Sequence, residues 1–78
     1  MTTQILSPLP GTFYRKSAPD KPTYKSEGDA VAVGEVIGLI EVMKSFIEVQ
    51  ADSSGKIVSF LVDNEEPVMA GQPLVEVE

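Results

Sequence analysis

The sequence predicts an all-β fold of the sandwich or barrel class. Short extended segments alternate with glycine, proline and polar turn residues along most of the chain. No stretch of about ten residues places apolar side chains at the i, i+3, i+4 and i+7 positions of an amphipathic helix. Many short strands with regularly spaced turns are typical of sandwiches and barrels.

Eight strands are predicted between these turns. The segment Pro8–Gly11 separates the first two strands, Gly34 precedes the fourth, Asp52–Gly55 separates the fifth and sixth, and Gly71 precedes the last. In chain order the predicted strands are Ile5–Ser7, Thr12–Arg15, Thr23–Lys25, Val36–Val42, Phe46–Gln50, Ile57–Leu61, Val68–Met69 and Leu74–Val77.

The fourth and fifth strands are predicted to form a hairpin with a two-residue loop at Met43 and Lys44. This register pairs Val42 with Ser45, Glu41 with Phe46, Ile40 with Ile47, and Gly38 with Val49. Because side chains alternate between the faces of a strand, one face then carries the apolar set and the other carries glutamates. The predicted inward residues are Ile40, Val42, Ile47 and Val49, and Glu41 and Glu48 point outward.

The residues of this loop are unusual for their position. Two-residue hairpin loops favour Asn-Gly, Asp-Gly or Gly-x because their central residues adopt positive φ. Met43 and Lys44 gain nothing there on local grounds. A local rule that is broken inside a consistent pattern indicates function, so Lys44 is the first candidate site residue.

A weak internal repeat divides the chain into two halves. Gly11–Phe13 corresponds to Gly55–Ile57, and the spacing of Val31, Gly34 and Ile37 recurs at Val68, Gly71 and Leu74. The first half carries about seven additional residues, which fall within Arg15–Pro22 and include two prolines. Two such halves are expected to interlock about a pseudo-twofold axis, with an inserted loop near 15–22.

Composition excludes several classes of function. The 78 residues allow one domain, and the chain contains neither cysteine nor histidine, so disulfides and the usual nucleophile–histidine arrangements are absent. Twelve acidic residues against six basic ones disfavour a nucleic-acid partner. The longest apolar run is Val36–Ile40, against about 20 residues for a membrane span. We therefore expect a cytoplasmic, non-catalytic protein with no membrane partner.

The segment Glu41-Val42-Met43-Lys44 resembles the attachment motif of biotin carboxyl carrier proteins of the acetyl-CoA carboxylase type, although that family usually has Ala at the second position. Three further segments resemble the same family in order: Ser7–Tyr14, Ala51–Ile57 and Pro67–Val77. The resemblance covers nearly all of residues 1–78. It implies a flattened barrel-sandwich of two four-stranded antiparallel sheets with pseudo-twofold symmetry, in which the 15–22 insertion is a protruding "thumb".

The resemblance also implies a function. Biotin would be covalently attached to Lys44 by a biotin protein ligase, with Met43, Val42 and Glu41 as the neighbouring site residues. A biotin carboxylase subunit would load the attached biotin with a carboxyl group, and a carboxyltransferase subunit would move that group to acetyl-CoA, another acyl-CoA or a small urea-like acceptor. Glu41 either holds Lys44 electrostatically or is an outward residue that contributes little.

Two alternatives remain open at this point. The chain could be a lipoyl carrier domain, although lipoyl domains typically have Asp-Lys-Ala at the tip, whereas here Met43 precedes the lysine. It could also be an unmodified barrel-sandwich interaction module, in which case Lys44 would be incidental. The chain begins almost at its first predicted strand, so it is either a minimal carrier or part of a larger protein.

Overall fold

The computed structural model describes residues 2–78 and contains eight β-strands in this part of the chain. The strands are β1 (Thr3–Leu6), β2 (Gly11–Tyr14), β3 (Ala30–Val31), β4 (Val36–Val42), β5 (Ser45–Gln50), β6 (Gly55–Phe60), β7 (Glu66–Val68) and β8 (Pro73–Val77). No helix long and apolar enough to cross a bilayer occurs among the described residues.

The strands form two four-stranded antiparallel sheets, as expected. The strand orders are β1-β8-β6-β3 and β5-β4-β2-β7. Exchanging the halves of the chain converts one order into the other, with β1 taking the place of β5, β8 of β4, β6 of β2 and β3 of β7. Each half therefore contributes two strands to each sheet, which confirms the pseudo-twofold arrangement that the internal repeat predicts.

The turns repeat as well as the strands. The amide of Gly34 donates to the carbonyl of Ala51 at 2.8 Å, and the amide of Gly71 donates to the carbonyl of Ser7 at 2.8 Å. Both glycines have positive φ, 92° and 82°, the left-handed conformation that glycine adopts without steric conflict. The two halves therefore use the same backbone device to enter β4 and β8.

The core lies between the inner faces of the two sheets. Phe13 is fully buried in this core, and its ring packs against Gly38 of β4. A Cβ atom at residue 38 would lie 2.6 Å from a carbon of that ring. A side chain at residue 38 would therefore displace the ring. The remaining core side chains are Ile5, Val31, Ile37, Ile40, Val49, Ala51, Ile57, Val62, Val68, Leu74, Val75 and Val77.

The β4–β5 hairpin has the predicted register. Val42 pairs with Ser45, Glu41 with Phe46, Ile40 with Ile47, and Gly38 with Val49. The register shifts between Val36 and Gly38. This irregularity lets both Ile37 and Ile40 enter the core, which strict alternation does not allow.

One expectation about burial on this hairpin needs correction, and one further residue departs from strict alternation. Ile40 and Val49 are buried and Val42 is half-buried against the core, but Ile47 is 36% exposed. Ile47 is less covered because β5 is the edge strand of its sheet and has a neighbour on one side only. Leu39 is buried although alternation assigns it to the outward face, where Tyr14 and Glu48 are its cross-strand neighbours.

The predicted strand Thr23–Lys25 is wrong. Thr23 forms only an isolated bridge with Lys16, and the third strand is instead Ala30–Val31, which pairs with β6. The side chain of Lys25 turns back to the carbonyl of Ala30 at 3.0 Å. Thr23–Lys25 therefore closes the inserted loop and is not a strand of either sheet.

Candidate functional site

The β4–β5 hairpin ends in a turn whose two central residues both have left-handed backbones. Met43 has a φ of 49° and Lys44 a φ of 70°. This is the conformation that a two-residue hairpin loop requires, and glycine or asparagine normally supplies it. For other residues the left-handed region costs about 1–2 kcal/mol each. The structure thus confirms that Met43 and Lys44 occupy a turn for which their side chains are unsuited.

The turn presents both side chains to solvent. Met43 is 93% exposed, and Lys44 is also exposed. The ion pair found within residues 2–78 joins Lys25 to Glu35, with Nζ and Oε2 3.3 Å apart. No ion pair joins Lys44 to Glu41 in this part of the chain, so Glu41 does not hold the Lys44 ammonium group. An enzyme can therefore approach the Lys44 amine from the open end of the hairpin.

Glu41 has a different partner from the one that sequence reasoning considered. Its carboxylate accepts a hydrogen bond from the Tyr14 hydroxyl at 2.9 Å. This bond to Glu41 is the main reason that the pKa of Tyr14 is raised above its ordinary value, followed by partial desolvation and the negative charges of Glu41 and Glu65. The bond to Glu41 holds the Tyr14 ring on the outward face of β2.

Phe46 extends this outward face beside the Met43–Lys44 turn. The rings of Phe46 and Tyr14 lie 5.9 Å apart between centroids and are inclined by 60°, a tilted aromatic contact. Phe46 nevertheless remains 58% exposed. Sequence reasoning did not select Tyr14 or Phe46 as site residues. The available signal was Phe46 itself, a large apolar side chain on an otherwise polar face, two residues after Lys44.

The inserted loop is anchored at both of its ends. The amide of Arg15 donates to the side-chain oxygen of Asn64 at 2.8 Å, and the carbonyl of Arg15 accepts from the amide of Tyr24 at 2.9 Å. The Arg15 guanidinium also lies 3.9 Å from the centroid of the Phe60 ring, a cation–π distance. These contacts fix the direction in which the loop leaves the sheet.

A groove separates the inserted loop from the outward aromatic face. Its volume is about 210 Å³, and its lining residues are Tyr14, Lys16, Ser17, Ala18, Pro19, Phe46, Asn64 and Glu65. One wall comes from the loop, one from the Tyr14–Phe46 pair, and the remainder from the turn before β7. We name it the loop groove. An attached ring system could lie here, because Phe46 is only two residues from Lys44 along β5 and lysine has a flexible four-carbon stem.

Comparison with known proteins agrees with this site. Residues 3–77 match the family described as biotin-requiring enzyme. The chain belongs to this family. Biotin is therefore the cofactor of the family, and an exposed lysine at a hairpin tip beside an aromatic groove fits a covalently attached biotin.

The curated relatives in this family include carrier proteins. The chain is 40% identical over 75 residues to the biotin carboxyl carrier protein of acetyl-CoA carboxylase from Nostoc sp., covering 96% of the chain and 41% of that relative. The protein of the same description from Chlamydia pneumoniae is 40% identical over 73 residues, with 94% and 44% coverage. The chain thus spans less than half the length of these relatives.

Two solved structures of carboxylases contain the same fold. The structure of urea carboxylase from Kluyveromyces lactis matches with a TM-score of 0.80 and 28% identity, over 100% of this chain and 6% of that one. A single-chain, multi-domain long-chain acyl-CoA carboxylase matches with a TM-score of 0.76 and 25% identity, over 96% of this chain and 7% of that one. The fold of this chain is therefore also found as a small part of much larger carboxylases.

Proposed function

We propose that this chain is the biotin carrier of a biotin-dependent carboxylase and that biotin is joined to Lys44 through an amide bond. The observation that carries the proposal is the left-handed Met43–Lys44 turn, in which the attachment residue is exposed at the tip of a hairpin. The names of the relatives, which are carrier proteins of acetyl-CoA carboxylase, support the same function.

The geometry explains how a biotin protein ligase selects one lysine. Lys25 is engaged in an ion pair, Lys56 lies within a strand, and Lys16 and Lys21 belong to the inserted loop. Only Lys44 has a left-handed backbone among the lysines of residues 2–78. A ligase that reads this backbone together with the exposed Met43 side chain can therefore distinguish Lys44 from the other four. The ligase must also remove a proton from Lys44, because the free amine is the attacking form.

The chain contributes position rather than catalysis. It has no histidine or cysteine that could act as a general base or a thiol nucleophile. When bound, biotin supplies a ureido ring that accepts and releases a carboxyl group. The hairpin holds the Lys44 stem at one end of a rigid barrel, so that transfer between a biotin carboxylase and a carboxyltransferase takes place at high effective concentration. We propose acetyl-CoA or another acyl-CoA as the acceptor and the cytoplasm as the compartment.

The inserted loop is part of this proposal as the thumb of the carrier. Its residues from Lys16 to Pro19 form the wall of the loop groove opposite the Tyr14–Phe46 pair. The groove is smaller than the 300–1,000 Å³ of typical ligand pockets, so it suits a small bicyclic ring better than a larger ligand. We propose that the biotin ring lies in this groove between transfers.

Two measurements test the proposed function. Protein isolated from its native host should bind avidin and should not react with an antibody against lipoamide. The biotinylated chain, incubated with a biotin carboxylase, MgATP and labelled bicarbonate, should then acquire label, and a Lys44→Arg variant should not. Reaction with the lipoamide antibody would identify a lipoyl carrier. Absence of both modifications would favour the unmodified interaction module.

A further inference from the structure

Glu65 has a left-handed backbone at a turn position where the fold does not require a glutamate. Three non-glycine residues among residues 2–78 have positive φ: Met43, Lys44 and Glu65. The first two form the attachment turn, and Glu65 has a φ of 67° in the turn before β7. Non-glycine residues persist in this region only where the surrounding structure holds them, and they cluster at functional sites.

The other half of the chain shows what the turn needs. The repeat that relates Gly34 to Gly71 places Gly28 at the position equivalent to Glu65. Gly28 has a φ of 93°, and its amide donates to the carbonyl of Ile57 at 2.8 Å, while the amide of Glu65 donates to the carbonyl of Phe13 at 2.6 Å. The same turn therefore forms with glycine in one half and with glutamate in the other.

The side chain of Glu65 contributes to a wall of the loop groove. It is exposed and shares that groove with Phe46 and with Lys16. Its charge also adds to the negative field at Tyr14, to which the Glu41 carboxylate is hydrogen-bonded. The groove therefore has two carboxylates near its aromatic wall and one ammonium group, that of Lys16, on its loop wall.

Resting on the proposed function, we propose that Glu65 makes the loop groove selective for the uncarboxylated biotin ring. The free ureido ring is neutral and has N–H groups that a carboxylate accepts in a charge-assisted hydrogen bond. Once a ring nitrogen bears the carboxyl group, that N–H is lost and a negative charge is gained. Glu65 then loses a donor and faces a like charge. The groove retains the empty ring and releases the loaded ring towards its acceptor.

The size of the effect is limited by solvent. Glu65 is exposed, so water and salt screen its charge. We therefore expect a preference of at most about fivefold for the neutral ring at low salt. Lys16 is the competing charge, because its ammonium group would attract a carboxylate on the ring.

The absence of cysteine allows a direct test. A Lys44→Cys variant carries one thiol, which can be labelled with thiol-reactive biotin or with the same reagent bearing an N-carboxymethyl group as a stable anionic ring. Amide NMR shifts of Ser17 and Phe46 then report ring occupancy of the groove. The neutral ring should shift both amides, and the anionic ring should shift them less, by up to about fivefold. Adding Glu65→Gln should remove this difference, whereas the matched control Glu48→Gln should preserve it.

Three results would overturn the inference. The anionic ring could shift Ser17 and Phe46 as strongly as the neutral ring does, the difference could survive Glu65→Gln, or the neutral ring could shift neither amide. Lys16→Gln should enlarge the difference, because it removes the ammonium group that attracts the anionic ring, and a smaller difference in this variant would contradict the inference. Peptide mass spectrometry after ligase treatment of the unsubstituted chain reports attachment at Lys44 separately. Failure of the groove inference with attachment intact therefore leaves the carrier function standing.

A stability measurement tests the starting observation independently. Glu65→Gly should raise the thermal midpoint, because glycine adopts positive φ without steric conflict. Glu48→Gly is the matched control in an extended strand, and it should lower the midpoint. A lower midpoint in Glu65→Gly would show that Glu65 is not strained and would remove the reason for assigning it a function.

Discussion

Replacing Met43 and Lys44 by Asn and Gly should stabilise the protein while removing its proposed attachment residue. Both positions have left-handed backbones, with φ values of 49° and 70°. Each non-glycine residue in that region costs about 1–2 kcal/mol, so the native turn carries about 2–4 kcal/mol of strain. Asn-Gly is the preferred sequence for this turn.

The expected gain is smaller than the whole strain. Glycine adds conformational freedom to the unfolded chain, which opposes stability by roughly 0.5–1 kcal/mol. Asparagine relieves its position only in part. A net gain of about 2 kcal/mol follows, which corresponds to a rise of roughly 8–16 °C in the thermal midpoint of a domain of this size.

Denaturant unfolding followed by circular dichroism measures this gain. The control is Lys56→Gly in β6, an extended position where glycine should destabilise by roughly 0.5–1 kcal/mol. Because the surface exposed on unfolding is unchanged, the slope of the transition should stay constant while its midpoint moves. An unchanged or lower midpoint in the Asn-Gly variant would refute the claim that the attachment turn is strained.

Three further predictions concern the barrel around the site. Ile40→Ala should destabilise the fold by roughly 2–5 kcal/mol in denaturant unfolding, because Ile40 is fully buried. Ile47→Ala at the exposed edge should cost less than half as much, and equal losses would contradict the observed burial. Glu35 has a pKa below its ordinary value of 4.5, mainly because its carboxylate accepts a backbone N–H and secondarily because an ammonium group binds it. A lowered pKa contributes stability that is fully present above the ordinary value of 4.5 and is lost as pH falls through the lowered value. Glu35→Gln should therefore lower the thermal midpoint at neutral pH, by an amount that shrinks as pH falls below the ordinary value; a difference that stays constant into acidic pH would exclude the charge as its cause. Replacing Lys16–Lys21 with a short glycine-containing turn should leave cooperative unfolding with a midpoint within a few degrees, because loop closure depends weakly on length; loss of cooperativity would show that the loop belongs to the folded scaffold.

The sequence was most informative where local pattern and pairing agree. The alternation of Ile40, Val42 and Val49 with Glu41 specifies the hairpin register, because a one-residue slip would exchange its two faces. The internal repeat predicted the strand exchange between the sheets. Both signals depend on spacing, which a sequence displays directly.

Features that depend on tertiary surroundings were not predictable in the same way. Thr23–Lys25 has strand-like composition, yet it closes the inserted loop, and the short strand Ala30–Val31 is identified only by its pairing with β6. Burial of Leu39 and exposure of Ile47 follow from which strand lies at the sheet edge. The loop groove also escaped prediction, because Tyr14 meets Phe46 only through the pairing of β2 with β4, which are distant in sequence.

Peptide mass spectrometry of the ligase-treated chain tests the central claim most directly. After co-expression with a biotin protein ligase in the presence of biotin, the peptide that contains Lys44 should carry biotin, and a folded Lys44→Arg variant should carry none. The other four lysines are Lys16, Lys21, Lys25 and Lys56. Biotin on any of these at a level comparable to Lys44, or its absence from Lys44, would contradict the account.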